Sequence, residues 1–184
     1  MRASGPEGLE GPSPEAGQLA AALAGKYMTF RLAREHYAAP ILKVRELVGL
    51  LEITRVPGSL SFMRGVVNLR GKVIPVVDLR AKLGMSAEGE SPRPVIIVVQ
   101  VDAAGAPLTM GVLVDEVLEV RSIAARDIEP PPPSSARAAE SDYLLGVGKA
   151  ERAVVFLLDL DRILSSAEVT RLASTDLRPP SGNS

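Results

Sequence analysis

Apolar and polar residues alternate with a period of two over much of this chain, the signature of half-buried strands. From Lys26 to Leu32, Met28, Phe30 and Leu32 fall on one face, and Tyr27, Thr29 and Arg31 on the other. A polar turn at Arg34-Glu35 leads into a second predicted strand from about His36 to Val44. Pro94 to Val101 is a run of β-branched residues, and Thr109 to Val120 alternates again, with Met110, Val112, Val114, Leu118 and Val120 in phase. Ala153 to Leu158 is a further buried run. Between Gly65 and Leu79, two apolar runs flank the polar knot Asn68-Leu69-Arg70-Gly71-Lys72, which reads as a hairpin turn. Short helical turns are expected after Asp78 and Asp159, each Asp placed as an N-cap, with Gly84 ending the first. Ile128 to Asp142 contains four prolines in a row, Pro130 to Pro133, and reads as an irregular loop.

The ends of the chain differ from this pattern. Residues 1–25 contain five Gly and three Pro with little bulky apolar material, so a disordered leader is expected there. The last residues, Arg178-Pro-Pro-Ser-Gly-Asn-Ser184, are expected to be loose. The division is thus a leader (1–25), a folded domain (26–166) and a C-terminal tail (167–184).

An internal repeat refines the fold class. With a shift of 81 residues, Gly65-Val66 falls on Gly146-Val147, and the run Val73 to Leu79 falls on Val154 to Leu160. A second echo, shifted by 70, sets Val44-Arg45-Glu46-Leu47 against Val114-Asp115-Glu116-Val117. Many short strands with little helix argue for barrels or a sandwich, and the repeat implies two similar small β-units sharing one core. The second copy turns at Lys149-Ala150-Glu151-Arg152, without Asn-Leu-Arg-Gly, so the fold is not expected to demand that tetrapeptide.

Composition narrows the function classes. With 46% hydrophobic and 23% charged residues among 184, the chain has the make-up of a globular domain with a real core. Its net charge of −1 and 3% aromatics disfavour a nucleic-acid surface. There is no Cys and one His, which leaves few routes to nucleophilic catalysis or metal binding. His36 is expected to be a surface or edge residue, and Asp115, Glu116 and Glu119 a solvated acidic strand edge. Gly146-Val147-Gly148-Lys149 is too short for a phosphate-binding loop. No apolar run approaches the roughly 18–20 residues that cross a bilayer, and no signal segment is evident, so a cytoplasmic protein is expected.

Several blocks in order then carry a resemblance: Phe30-Arg-Leu, His36-Tyr37 through Val44-Arg-Glu46, Val56-Pro57, Met63 through Leu79 with Asn68-Leu-Arg70-Gly71, Gly111 through Val117, Glu129-Pro130-Pro131, and Leu157 through Leu164. Over about residues 26–166 the chain resembles the CheW family of chemotaxis coupling proteins. The resemblance implies a mainly β fold, two SH3-like five-stranded β-barrel subdomains packed on a shared hydrophobic core with short helices. It implies no catalytic activity, no cofactor and no metal. The implied partners are the cytoplasmic tips of chemoreceptors (methyl-accepting chemotaxis proteins), the regulatory domain of a CheA-type histidine kinase, and further copies of itself or related domains in rings. The implied place is the cytoplasm, at membrane-bound receptor arrays, without insertion into the membrane. Matched block by block, the receptor-binding residues are Val44, Glu46, Gly65, Asn68, Arg70 and Val120. Strand alternation is expected to put Val44 and Glu46 on one face, with Glu46 a partner for the Arg70 guanidinium. Two readings compete: a small-barrel nucleic-acid-binding module, which the charge disfavours, and an enzyme with a carboxylate site at Asp115 and Glu116, which lacks supporting chemistry.

Overall fold

The computed structural model describes residues 11, 13–49, 51–85, 91, 93–132 and 142–164. A helix, α1 (Pro14–Leu23), precedes strands β1 (Gly25–Leu32) and β2 (Glu35–Pro40), a 3-10 turn at Ile41–Lys43, and β3 (Val44–Gly49). Strands β4 (Met63–Leu69) and β5 (Lys72–Asp78) lead into helix α2 (Leu79–Lys82). Strands β6 (Val95–Ala103), β7 (Ala106–Val114), β8 (Glu116–Ile123), β9 (Ile128–Glu129), β10 (Leu144–Ala150) and β11 (Ala153–Leu158) follow, and helix α3 (Leu160–Leu164) ends the described chain.

Four tight hairpins set the strand register. Each turns through two residues, of which the first, Ala33, Arg70, Ala104 or Glu151, has a positive φ near 51–54°. That left-handed start matches the right-handed twist of the flanking strands. Asp78 and Asp159 cap their helices as expected, accepting from the N–H groups of Ala81 (3.2 Å) and Arg162 (3.1 Å).

The strands form two sheets, ordered β8-β1-β2-β11-β10-β9 and β3-β6-β7-β5-β4. Exchanging β1 with β6, β2 with β7, β3 with β8, β4 with β10 and β5 with β11 converts one order into the other, with β9 left over. The counterpart of β9 in the five-stranded sheet is a single bridge, Thr54 to Val66, where Glu129 pairs with Val147 in the six-stranded one. The 81-residue repeat is therefore a repeat of structure. Even the irregularities recur: β4–β5 slips register between Met63 and Gly65, and β10–β11 between Leu144 and Gly146. The two barrels do not coincide with the two halves of the chain, however: each joins the first two strands of one half, β1 and β2 or β6 and β7, to the later strands of the other. β3 from the first half pairs with β6 of the second, and β8 from the second pairs with β1 of the first.

Alternating side chains divide the interior into three layers. Val67, Ile74, Val76, Ile96 and Val98 fill the five-stranded unit, and Tyr27, Ala38, Ile123, Val155 and Leu157 fill the six-stranded one. The opposite faces of the same strands, among them Met28, Phe30, Leu32, Ile97, Val99, Met110 and Val112, meet between the units together with residues of α2 and α3. Two small barrels on a shared core is the arrangement expected from the sequence.

Several expectations are corrected. The leader is not wholly disordered: Pro14–Leu23 form α1, started by Ser13, whose hydroxyl accepts from the Ala16 N–H at 3.2 Å. Ala20 joins the core of the six-stranded unit, Leu23 packs against it, and the Tyr27 hydroxyl donates to the Leu23 carbonyl. The His36 to Val44 segment is divided by the 3-10 turn at Ile41–Lys43. The Thr109 to Val120 run is broken at Asp115, where the chain leaves one sheet for the other. The loop expected from Ile128 begins with β9, while residues 133–141 and the 167–184 tail lie outside the described residues. Among the described residues no helix is long and apolar enough to cross a membrane.

Two measurements test this packing. A Cβ added at Gly65 would lie 2.1 Å from the Thr54 carbonyl oxygen, and the φ of +139° there disfavours any other residue. Gly65→Ala is expected to destabilise the chain by about 3 kcal/mol in urea unfolding; an unchanged midpoint would contradict the close approach of residue 54. Burial pushes the Tyr27 phenol above its usual 10.0. Its neutral form is the one the fold holds, so its contribution is whole below about pH 10 and lost as pH rises through the higher folded value. Tyr27→Phe is expected to lose less stability than the parent chain between pH 9 and pH 11 (roughly the span of that titration), as read from thermal midpoints.

Candidate partner-binding site

Glu46 lies on β3, the outer strand of its sheet, and Arg70 on the β4–β5 turn. The fold brings them together: Arg70 Nη2 lies 2.5 Å from Glu46 Oε2. The two ends of this pair differ in burial. The Glu46 side chain is 26% exposed and that of Arg70 75%. A half-buried carboxylate thus holds one nitrogen of a guanidinium whose remaining donors face outward, a fixed cationic plate at the edge of a barrel.

The turn that carries Arg70 is built by Asn68. Its side-chain carbonyl accepts from the Gly71 N–H at 2.9 Å, closing the loop while Arg70 adopts its left-handed conformation. The β6–β7 turn uses the same device, with Asp102 accepting from the Gly105 N–H at 2.8 Å. Asn68 therefore serves the fold at this contact. In the second copy of the unit Lys149 stands in its place, 2.5 Å from Glu129. That carboxylate raises the Lys149 pKa above its usual value, by hydrogen bonding first and charge second. Gly65 also has a structural task, since it admits the Thr54 carbonyl beside β4.

Val44 and Glu46 do not share a face. Val44 pairs with Val99 and Glu46 with Val98, so Arg45 between them is a bulge residue. Cross-strand partners point the same way. Val44 accordingly lies on the side of the shared core, with Val99, and Glu46 on the side of Val98, which faces the interior of its own barrel. The Arg45 guanidinium is tied across the bulge to the Gln100 side-chain oxygen, by Nε at 2.8 Å and by Nη2. Val120 belongs to the other barrel, on β8 opposite Met28. Both valines, Val44 and Val120, thus lie on sheet faces turned toward the shared core, and Val120 is half exposed. Sequence reasoning missed the exposed Leu42, Leu47 and Val73 near the same elements, because no period distinguishes an exposed apolar residue on an edge from a buried one.

The residues considered for catalysis are otherwise engaged. The acidic cluster separates: Glu116 pairs with Arg31 (2.7 Å) and Glu119 with Arg121 (2.7 Å). Asp115 is buried rather than solvated, accepts from the Ala33 N–H at 2.6 Å, and faces Arg80 Nη1 at 3.4 Å. His36 is half-buried on β2, between β1 and β11, and is not at a sheet edge.

A family model described as the CheW-like domain matches residues 26–168. The chemotaxis protein CheW of Rhizobium meliloti is 36% identical over 141 residues, 77% of this chain and 88% of that protein. The CheW of Klebsiella aerogenes is 33% identical over 144 residues, 78% of this chain and 84% of that protein. A crystal structure of the scaffolding protein TtCheW from Thermoanaerobacter tengcongensis superposes with a TM-score of 0.69 at 33% identity, over 79% of this chain and 96% of that one. Two strand-exchanged barrels on a common core, with the ordered blocks that the sequence shares with these proteins, place the chain in the CheW-like domain family.

Proposed function

We propose that this protein is a non-catalytic coupling scaffold of bacterial chemosensory signalling, acting on the cytoplasmic side of receptor arrays. It joins the cytoplasmic tips of chemoreceptors to the regulatory domain of a CheA-type histidine kinase, and related domains extend the assembly into rings. The observation that carries the receptor contact is the Glu46–Arg70 pair. A guanidinium already held in one orientation loses little freedom when it meets a helical hairpin, and its outward N–H groups suit carboxylates and carbonyls there. Exposed apolar side chains stand on the same elements, Leu47 on β3 and Val73 on β5. Val44 and Val120 contribute from the side of the shared core. Asn68 and Gly65 contribute indirectly, by shaping the turn and strand that present Arg70.

Exposure makes Arg70 separable from stability. An exposed ion pair contributes at most about 1 kcal/mol to folding, whereas a central interface arginine often contributes 2 kcal/mol or more to binding, roughly thirtyfold in affinity. Arg70→Glu is therefore expected to leave the thermal midpoint within a few degrees of the parent and to abolish pull-down of a soluble receptor-tip fragment. Receptor-stimulated kinase activity is expected to fall with it. Unchanged pull-down and kinase stimulation would remove Arg70 from the contact, and an equally large drop in melting temperature would assign the loss to the fold.

A further inference from the structure

The two barrels are held by two equivalent ion-pair clamps whose charges are reversed. In the first, Arg80 on α2 faces Asp115, the residue between β7 and β8, at 3.4 Å. Asp115 also accepts from the Ala33 N–H of the β1–β2 turn, so the helix of one barrel, the chain crossing and a hairpin of the other barrel meet at one carboxylate. In the second, Asp161 on α3 faces Lys43, the residue just before β3, at 2.8 Å. Asp161 accepts from the Asp102 N–H near the β6–β7 turn at 2.9 Å, again joining helix, crossing and the opposite hairpin. Arg80 and Asp161 are 81 residues apart, the shift of the repeat, and Asp115 and Lys43 each precede the strand at which their half crosses to the other barrel. The acid sits on the crossing in one clamp and on the helix in the other.

The clamps differ in exposure. The Arg80 and Asp115 side chains are 11% and 12% exposed, and those of Lys43 and Asp161 33% and 39%. Water and salt reach the second clamp and weaken it, so it is the one able to open while the first holds. It is also the one attached to the candidate site: Lys43 immediately precedes Val44, and Glu46 follows two residues later on the same strand.

We infer that Lys43 and Asp161 are positioning residues: their clamp fixes the angle between the barrels and thereby the placement of β3, so that partner binding at β3 and inter-barrel orientation form one equilibrium. Its effect on binding rests on the reading of β3 as the partner edge; its effect on orientation does not. The charge reversal supplies the test. Lys43→Asp and Asp161→Arg each bring like charges together, while the double substitution recreates the polarity already used by Asp115 and Arg80. Asp161→Asn is a milder variant that removes the charge and keeps an acceptor for the Asp102 N–H.

The full chain has no cysteine, so for the distance measurement spin labels can be placed at Val73→Cys and Val154→Cys, equivalent exposed positions in the two barrels, while binding is measured on the unlabelled, cysteine-free variants. Each single substitution is expected to broaden the inter-label distance distribution and to weaken binding of a receptor-tip fragment about fivefold. Asp161→Asn is expected to fall between these and the parent, and the double variant to return to within about twofold of it. Unchanged distances in all single variants, or a double variant as broad as the singles, would overturn the inference. Broadened distances in folded variants, with a chain carrying Arg70→Glu that still binds, would uphold the clamp and reject the partner reading of β3.

Discussion

Neither barrel of this protein has an interior large enough to hold it on its own. Among the described residues, seven buried side chains fill one barrel and six the other, while nineteen fill the layer between them. The consequence is that β1, β2, β6 and β7 are buried on both faces, one inside a barrel and one against its neighbour. Small β-units expose too much of their surface to be stable without such a partner. Mixing of the halves adds a second constraint, because each barrel closes only when two strands from the other half of the chain, β6 and β7 or β1 and β2, are in place. The shared layer and the exchanged strands make the pair of barrels one cooperative body, and α2 and α3 contribute Leu79, Leu160 and Ile163 to the same layer.

Much of this was legible where the cause is local. Alternation in Lys26 to Leu32 marks β1, and the capping aspartates Asp78 and Asp159 mark the starts of α2 and α3. Ser13-Pro14-Glu15 is likewise a helix-start signal, which the Gly and Pro content of the first 25 residues obscured. What depends on distant partners was not legible. No periodicity shows that Asp115 ends one sheet and begins another, because the apolar phase resumes at Leu118 after the crossing. Nor does sequence reveal the bulge at Arg45, which turns Glu46 to the opposite face from Val44. At the site, the pairing of Glu46 with Arg70 followed from matching residue types in a family pattern, and the fold bears it out. The structural duties of Asn68 and Gly65 did not follow, since they rest on a turn N–H and on the carbonyl of Thr54.

The electrostatic arrangement follows a division of labour by depth. Buried charge is spent where chain segments cross between sheets, at Asp115 and Arg80, where an unpaired group would be costly and so orientation is strictly set. Exposed charge is placed on the outer strand and turn, at Arg70, where it affects stability little and remains available to another molecule. The six-stranded barrel carries a different exposed pair, Lys149 on β10 with Glu129 on β9, so the two barrels share a backbone plan and present different surfaces.

The mixing of the two halves in each barrel has a consequence for how such a chain can arise. A polypeptide half as long, carrying a single copy of the repeat, would meet the same pairing rules by setting its first two strands beside the last three of an identical neighbour and receiving that neighbour's first two in return. In that two-chain ancestor both clamps would be the same by symmetry. Joining the copies into one polypeptide frees each clamp to change alone, and an acid on the crossing at Asp115 with an acid on the helix at Asp161 is a state open only to the fused form. Opposite polarities also penalise pairing one half with a second copy of itself, because two halves of the same kind would set helix and crossing charges of like sign against each other.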